Sequence, residues 1–197
     1  MTIAFFDFDG TITTRDTLWQ IIRYQKGSVA MYAGIIRLLP ALLAFKLKRI
    51  PAQEMKERVL AHYFGSMEEA VFRKGCEDFC AIALPGMLRD KALATIKKHQ
   101  ANGNIVVVVT ASPRYWVEPW CKTLQIQCIG SELMVSNGRI TGKIQGTNCN
   151  GEEKVNRIKK EFRLDNYRAI YAYGDSAGDL PMLALAGDKG TFKPFRD

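Results

Sequence analysis

The order of apolar and polar positions divides this chain into short unbroken runs and longer periodic stretches. Ile3-Ala4-Phe5-Phe6 is a compact apolar run that ends abruptly in Asp7-Phe8-Asp9-Gly10-Thr11. So short a run, cut off by polar residues, predicts a buried strand of a parallel sheet. Ile105 to Val109 are five consecutive β-branched apolar residues between Gly103 and Pro113, the strongest strand signal in the chain, and the run ends in Thr110-Ala111-Ser112. Ala169-Ile170-Tyr171-Ala172-Tyr173 repeats the pattern and ends in Gly174-Asp175-Ser176-Ala177-Gly178-Asp179. Gln127–Gly130 reads as a short strand, and the alternation from Leu133 to Ile144 around Asn137-Gly138 predicts a hairpin.

Between the runs the period changes to that of helices. Helices are predicted from Leu18, across 28–62, over 51–64 and 67–83, then over 88–99, 115–124, 152–162 and 180–185. Asp16 or Thr17 stands where the first of these needs a cap. Val29 to Phe45 is unusually apolar, with Arg37 its one charge and Pro40 an interruption, which predicts a helical pair that buries one face. A membrane span needs ~20 apolar residues, and Arg37 and Pro40 within so short a stretch argue against one. The basic cluster Lys46-Leu47-Lys48-Arg49 that follows leaves contact of this apolar segment with a membrane surface as a further reading. Leu84-Pro85-Gly86 closes the helical stretch.

Strands alternating with helices imply parallel βαβ units. The expected architecture is an α/β Rossmann-like three-layer α/β/α core with a parallel sheet, interrupted after its first strand by an all-helical insertion. The boundaries follow: residues 1–14 and 85–197 for the core, 15–84 for a helical cap. Three strands then end in polar clusters on one rim, where open α/β sheets bind ligands. Asp7 and Asp9 share a side of that rim only if their strand continues through both.

Composition narrows the chemistry. The 197 residues are 47% hydrophobic and 24% charged and carry a net charge of +8, which suits a globular chain with a substantial core and an anionic partner. The basic residues are scattered rather than gathered in an arm, so nucleic acid is not expected. The five cysteines form no C-x-x-C pair and predict neither a disulfide framework nor a zinc site. With no leader pattern at Met1, a cytoplasmic location is the expectation. Several carboxylates on one rim repel each other unless a cation joins them, and oxygen ligands without His or Cys favour magnesium. A hydroxyl at Thr110 and an ammonium from Lys154 or Lys143 would hold phosphate oxygens.

The motifs together resemble the haloacid dehalogenase superfamily. Asp7-Phe8-Asp9-Gly10-Thr11 matches its motif I, D-x-D-x-[TV]; Thr110 at a strand end matches motif II; Lys154 matches motif III; Gly174 to Asp179 matches motif IV, G-D-x-x-x-D. The resemblance implies a hydrolase in which Asp7 is the nucleophile that becomes an aspartyl-phosphate and Asp9 is general acid, then base. It implies magnesium held by the Asp7 carboxylate, the Asp9 main-chain carbonyl and Asp175. It also implies phosphoryl binding by Thr110, Lys154 and main-chain N–H groups near Gly10 and Ala111, with Asp179 in support. The helical insertion is of the C1 type, and the chain resembles the phosphoserine-phosphatase-like branch, subfamily IB. That branch implies substrate-reading positions near Asp16 and Arg58. Gly10 departs from the branch, which usually carries Ser there, and the cap is more apolar than a serine pocket needs. The expected substrate is a small organic phosphomonoester. The alternatives are a lipid-linked phosphate such as phosphatidylglycerophosphate and, in another class, a non-catalytic binding module on the same fold.

Overall fold

The computed structural model describes residues 1–196. Five strands form one parallel sheet: β1 (Thr2–Phe6), β2 (Ile105–Pro113), β3 (Gln127–Ser131), β6 (Ala169–Gly174) and β7 (Gly190–Phe192), in the order β3-β2-β1-β6-β7. Register runs Phe5↔Val107 on one side of β1 and Phe5↔Ala172 on the other. The first strand therefore lies in the middle, between the two others whose polar ends the sequence singled out.

Alternation along β1 sends its side chains into two cores. Ala4 and Phe6 join Val106 and Val108 beneath α4 (Asp90–Ala101) and α5 (Glu118–Thr123), where Ile96 and Trp120 pack. Ile3 and Phe5 join Val107 and Val109 beneath α6 (Glu152–Glu161) and α7 (Leu180–Ala184), where Ile158 and Met182 pack. The core is thus a three-layer, Rossmann-like α/β/α arrangement, and the segment between β1 and β2 carries an inserted all-helical region: α1 (Thr17–Lys46), α2 (Ala52–Phe64) and α3 (Glu69–Ile82).

Two details of this insertion correct the sequence reading. Pro40 does not interrupt the apolar stretch: α1 runs through it, and the one non-helical residue inside is Gly27, at φ 81° and ψ 161°. Pro40 removes the N–H that would bond Ile36, but both residues are exposed, so water can take the orphaned carbonyl. Nor does α1 bury a full apolar face. Beyond Gly27 only Met31 and Gly34 are buried, and Val29, Ile36 and Leu43 are exposed.

The predicted hairpin forms from β4 (Leu133–Ser136) and β5 (Arg139–Ile144), turning at Asn137 and Gly138, both at positive φ. It clasps α2 and the start of α3. Ser66 N–H donates to Ile140 O at 2.8 Å, Ile140 N–H to Met67 O at 2.9 Å, and Glu69 N–H to Gly138 O at 2.9 Å. Gly142 backs directly onto Ala61, where an added Cβ would lie 2.3 Å from the Ala61 Cα.

Candidate active site

β1 stops at Phe6, and the chain leaves the strand pattern before either carboxylate. Phe8 to Ile12 wind a single wide turn closed by Thr13 N–H donating to Phe8 O at 3.0 Å. Within that turn Asp9 is extended (φ −72°, ψ 120°), and Gly10 takes φ 81°. Glycine suits the position on two counts, since positive φ favours it and a Cβ there would sit 2.5 Å from Asp175 Oδ2, which would have to shift. As a result the two aspartates point to different partners.

Asp7 is buried and meets a lysine. Lys154, 1% exposed, spends all three ammonium donors: on Asp7 Oδ1 at 2.6 Å, on Asp179 Oδ1 at 2.6 Å and on Val109 O at 2.8 Å. Burial alone would push its pKa down, but Asp7 and Asp179 outweigh burial and hold it above the ordinary lysine value. The two carboxylates do not share that charge equally. Burial acts on Asp179 as well, yet Lys154 and the Ser176 donors hold its carboxyl below the usual range. Its Oδ2 accepts from the N–H groups of Asp175 (3.1 Å) and Ser176 (2.9 Å) and from Ser176 Oγ (2.7 Å). Asp7 is pushed up to about 7 by burial in spite of Lys154, with Asp179 adding to the rise. Among the described residues its Oδ2 accepts only from Thr11 Oγ1, at 3.2 Å. Asp175 accepts from Thr11 Oγ1 at 3.3 Å and pairs with Arg196.

One oxygen from each of Asp7, Asp175 and Asp179 lies within 4.8 Å of the others. The lone pairs of Asp179 are committed to Lys154 and Ser176, which leaves Asp7 and Asp175 as the pair able to hold a cation. Asp7, short of positive charge even beside a lysine, is the group such a cation would relieve. The donor set is carboxylate oxygen throughout, which fits a hard divalent ion.

Asp9 turns the other way. Its Oδ1 accepts from Thr17 N–H at 2.7 Å and Thr17 Oγ1 at 2.6 Å, and its Oδ2 from Ser112 Oγ at 2.6 Å. Trp116 Nε1 donates to the same Thr17 hydroxyl at 3.0 Å, extending the chain of bonds into the core. Thr17 and Trp116 are positions that reading the sequence did not single out for chemistry, and Ser112 was legible only as part of the polar end of β2. Thr17 was legible only as a helix cap, a role that falls to Asp16, whose Oδ1 accepts from Leu18 N–H at 2.9 Å. Thr110 is fully buried, and its Oγ1 accepts from Ser112 N–H at 2.9 Å. Gly10 N–H donates to Thr13 Oγ1 at 3.3 Å.

Asp9, Asp16, Ala111 and Ser112 line one end of a cavity of roughly 290 Å³; Trp19, Leu42, Phe45 and Met55 form its apolar wall. A cation from the insertion also lines it. Lys56 of α2 donates to Ala111 O at 2.6 Å and to Asn148 Oδ1 at 3.2 Å, and burial lowers its pKa to about 8 against the pull of Asp9 and Asp16. Arg58 is not brought to this cavity. Two residues on from Lys56 lies on nearly the opposite side of a helix, and Arg58 there pairs with Glu54 at 2.7 Å, half exposed. Lys143, the other candidate ammonium, is bound to Glu57 at 3.1 Å on the outside of the hairpin. A larger cleft of about 440 Å³, lined by Gln20, Tyr24 and Phe79, touches none of the rim residues.

Comparison with known proteins bears on the family and the fold. A profile of the family described as haloacid dehalogenase-like hydrolase matches residues 4–184. Protein CicA of Caulobacter vibrioides is 35% identical over 193 residues, covering 97% of this chain and 85% of its own. A solved protein of unknown function from Bordetella pertussis Tohama I superposes with a TM-score of 0.78 at 24% identity, over 93% of this chain and 86% of that one. A phosphoserine phosphatase solved as a phospho-aspartyl intermediate analogue has the same fold, with a TM-score of 0.66 at 20% identity over 94% and 83% of the two chains.

Proposed function

This chain belongs to the haloacid dehalogenase-like hydrolases, and we propose that it is a magnesium-dependent phosphomonoesterase of the phosphoserine-phosphatase-like branch, subfamily IB. In this reading residues 15–84 cap a core made of 1–14 and 85–197. The observation that carries the reading is the buried Lys154 bridging Asp7 and Asp179, each at 2.6 Å, with Asp175 alongside.

Asp7 is the nucleophile. Its carboxylate oxygen bonds to phosphorus as the ester P–O bond breaks, giving an aspartyl-phosphate and an alcohol whose oxygen takes a proton from Asp9. Water then attacks phosphorus with Asp9 taking its proton, the acyl phosphate bond breaks, and Asp7 is regenerated. Lys154, Thr110 and the main-chain N–H groups of Gly10 and Ala111 would bind the transferring group, a phosphoryl oxygen displacing one of the acceptors that Lys154 holds here. Asp7, Asp175 and the Asp9 main chain would hold magnesium, which would supply positive charge against the phosphoryl oxygens. Thr17 and Ser112 fix where Asp9 stands, and Asp179 fixes Lys154.

Lys56 and Asp16, both lining the cavity, would read charged groups of the substrate, and the wall of Trp19, Leu42, Phe45 and Met55 would accept an apolar portion. That wall supports the second reading, in which the phosphate is lipid-linked. The deciding experiment is a screen of phosphorylated metabolites, lysolipid phosphates and p-nitrophenyl phosphate with and without magnesium. Phosphate release that needs magnesium and drops by ~10³-fold or more in Asp7→Asn is expected. Absence of release from every compound would reject the reading in favour of a binding module on this fold.

A further inference from the structure

More than half of the exposed large apolar side chains among the described residues fall between Tyr24 and Leu47. Val29, Tyr32, Ile36, Leu39 and Leu43 recur every three or four residues, so they form one stripe along α1. Their exposures are 86%, 60%, 72%, 48% and 54%. By length and composition α1 could cross a membrane, yet its other side is taken. Met31 and Gly34 lie against α2, with Tyr63 Oη donating to Met31 O at 2.5 Å, and an added Cβ at Gly34 would lie 2.3 Å from that Oη. A helix packed along one side and apolar along the other is built to lie in a surface rather than pass through one.

Charge identifies that surface. Between Asp16 and Glu54 there is no carboxylate, while beyond Gly27 the basic residues Arg37, Lys46, Lys48 and Arg49 are all exposed. A second copy of the chain would set these cations against their own equivalents with no acid to pair them, whereas anionic lipid headgroups complement them. We propose that the outward face of α1 docks this protein on an anionic lipid bilayer, with the Val29–Leu43 stripe at the headgroup–acyl boundary and Lys46, Lys48 and Arg49 on lipid phosphates. Leu42 and Phe45, on the same helix, also wall the cavity that reaches Asp9, so docking sets the cavity beside the lipid.

The inference stands apart from the hydrolase chemistry and is tested without it, by flotation with vesicles of phosphatidylcholine alone or mixed with phosphatidylglycerol. The wild type should float with the mixed vesicles, less so as salt rises, and stay behind with the neutral ones. Ile36→Glu/Leu43→Glu should abolish flotation. Lys46→Glu/Lys48→Glu/Arg49→Glu should cut vesicle partition on the order of 10²-fold. Both variants alter exposed positions and should keep the wild-type melting temperature and p-nitrophenyl phosphate turnover. The proposal is overturned if the wild type ignores anionic vesicles, if it binds neutral vesicles equally, or if Ile36→Glu/Leu43→Glu floats as well as wild type. A lipid-free dimer that the same variant splits into monomers would also overturn it, assigning the face to a second copy.

Discussion

The rim of the sheet and the outer side of α1 treat charge in opposite ways. On the rim one lysine, 1% exposed, has every donor spent on Asp7, Asp179 and a main-chain oxygen. On the outer part of α1 and the turn that follows it, Arg37, Lys46, Lys48 and Arg49 are exposed, and there is no carboxylate in the sequence from Thr17 to Gln53. Buried charges must find partners inside the fold, so they fix geometry; exposed ones can leave their partners to the surroundings. The first arrangement specifies a reaction, the second a place or a substrate.

The largest effect should come from breaking the rim. Lys154→Met leaves Asp7 and Asp179 buried without their cation, at a cost of about 3–5 kcal/mol in unfolding free energy. Denaturant melts should show that loss, and turnover should vanish with it. If Lys154→Met keeps wild-type stability, the rim is not the rigid region the contrast requires.

One step outward, Thr17→Val removes the hydroxyl that links Trp116 to Asp9 but keeps the shape. We expect kcat to fall by about tenfold with KM little changed, the mark of a positioning residue. An unchanged kcat would detach Asp9 from that chain of bonds.

Lys56 tests the insertion's share of the site. Lys56→Met should raise KM by about tenfold, the value of a lost charged hydrogen bond, with a smaller effect on kcat. Its pKa, lowered by burial to about 8, sets the sign of the pH dependence. The charge that draws an anion is present below about 8 and lost above it, so wild-type KM should climb as pH passes 8 and the climb should be absent in Lys56→Met. Stability runs the other way. Because the fold disfavours the protonated form, this group's contribution improves as pH rises from about 8 toward the free-lysine range. Arg58→Ala is the control with the smallest effect: an exposed pair with Glu54 predicts under about 0.5 kcal/mol and no change in KM.

Much of the fold could be read because its signals are local. The valines of β2, the apolar run of β1 and the Asn-Gly turn of the hairpin each carry their own period or turn chemistry. β7 went unseen because Gly-Thr-Phe is too short to alternate; it is a strand only because Ala172 pairs with Gly190. The carboxylates of the rim were legible as a group, yet the divergence of Asp7 from Asp9 was not. That depends on Gly10 turning at φ 81°, against a carboxylate 165 residues away in the chain. For the same reason Arg58, named by its resemblance to the branch's cap arginine, is not the cation that reaches the cavity, and Lys56 is. Composition gives the charges of a helix, but which one enters the cavity depends on α2's rotation against Ala111 and Asn148. α1 shows the limit most plainly, since an apolar period announces a helix without saying what will cover it.

The clasp between the hairpin and α2 has a mechanical consequence. Gly142 pressed on Ala61, with main-chain bonds at Ser66, Met67 and Glu69, makes hairpin and helix one unit, although they lie far apart in sequence. Lys56 sits on that helix and reaches Ala111 O. A side chain at position 142 would therefore be felt in the cavity, because its Cβ would press on the Ala61 backbone of the helix that carries Lys56.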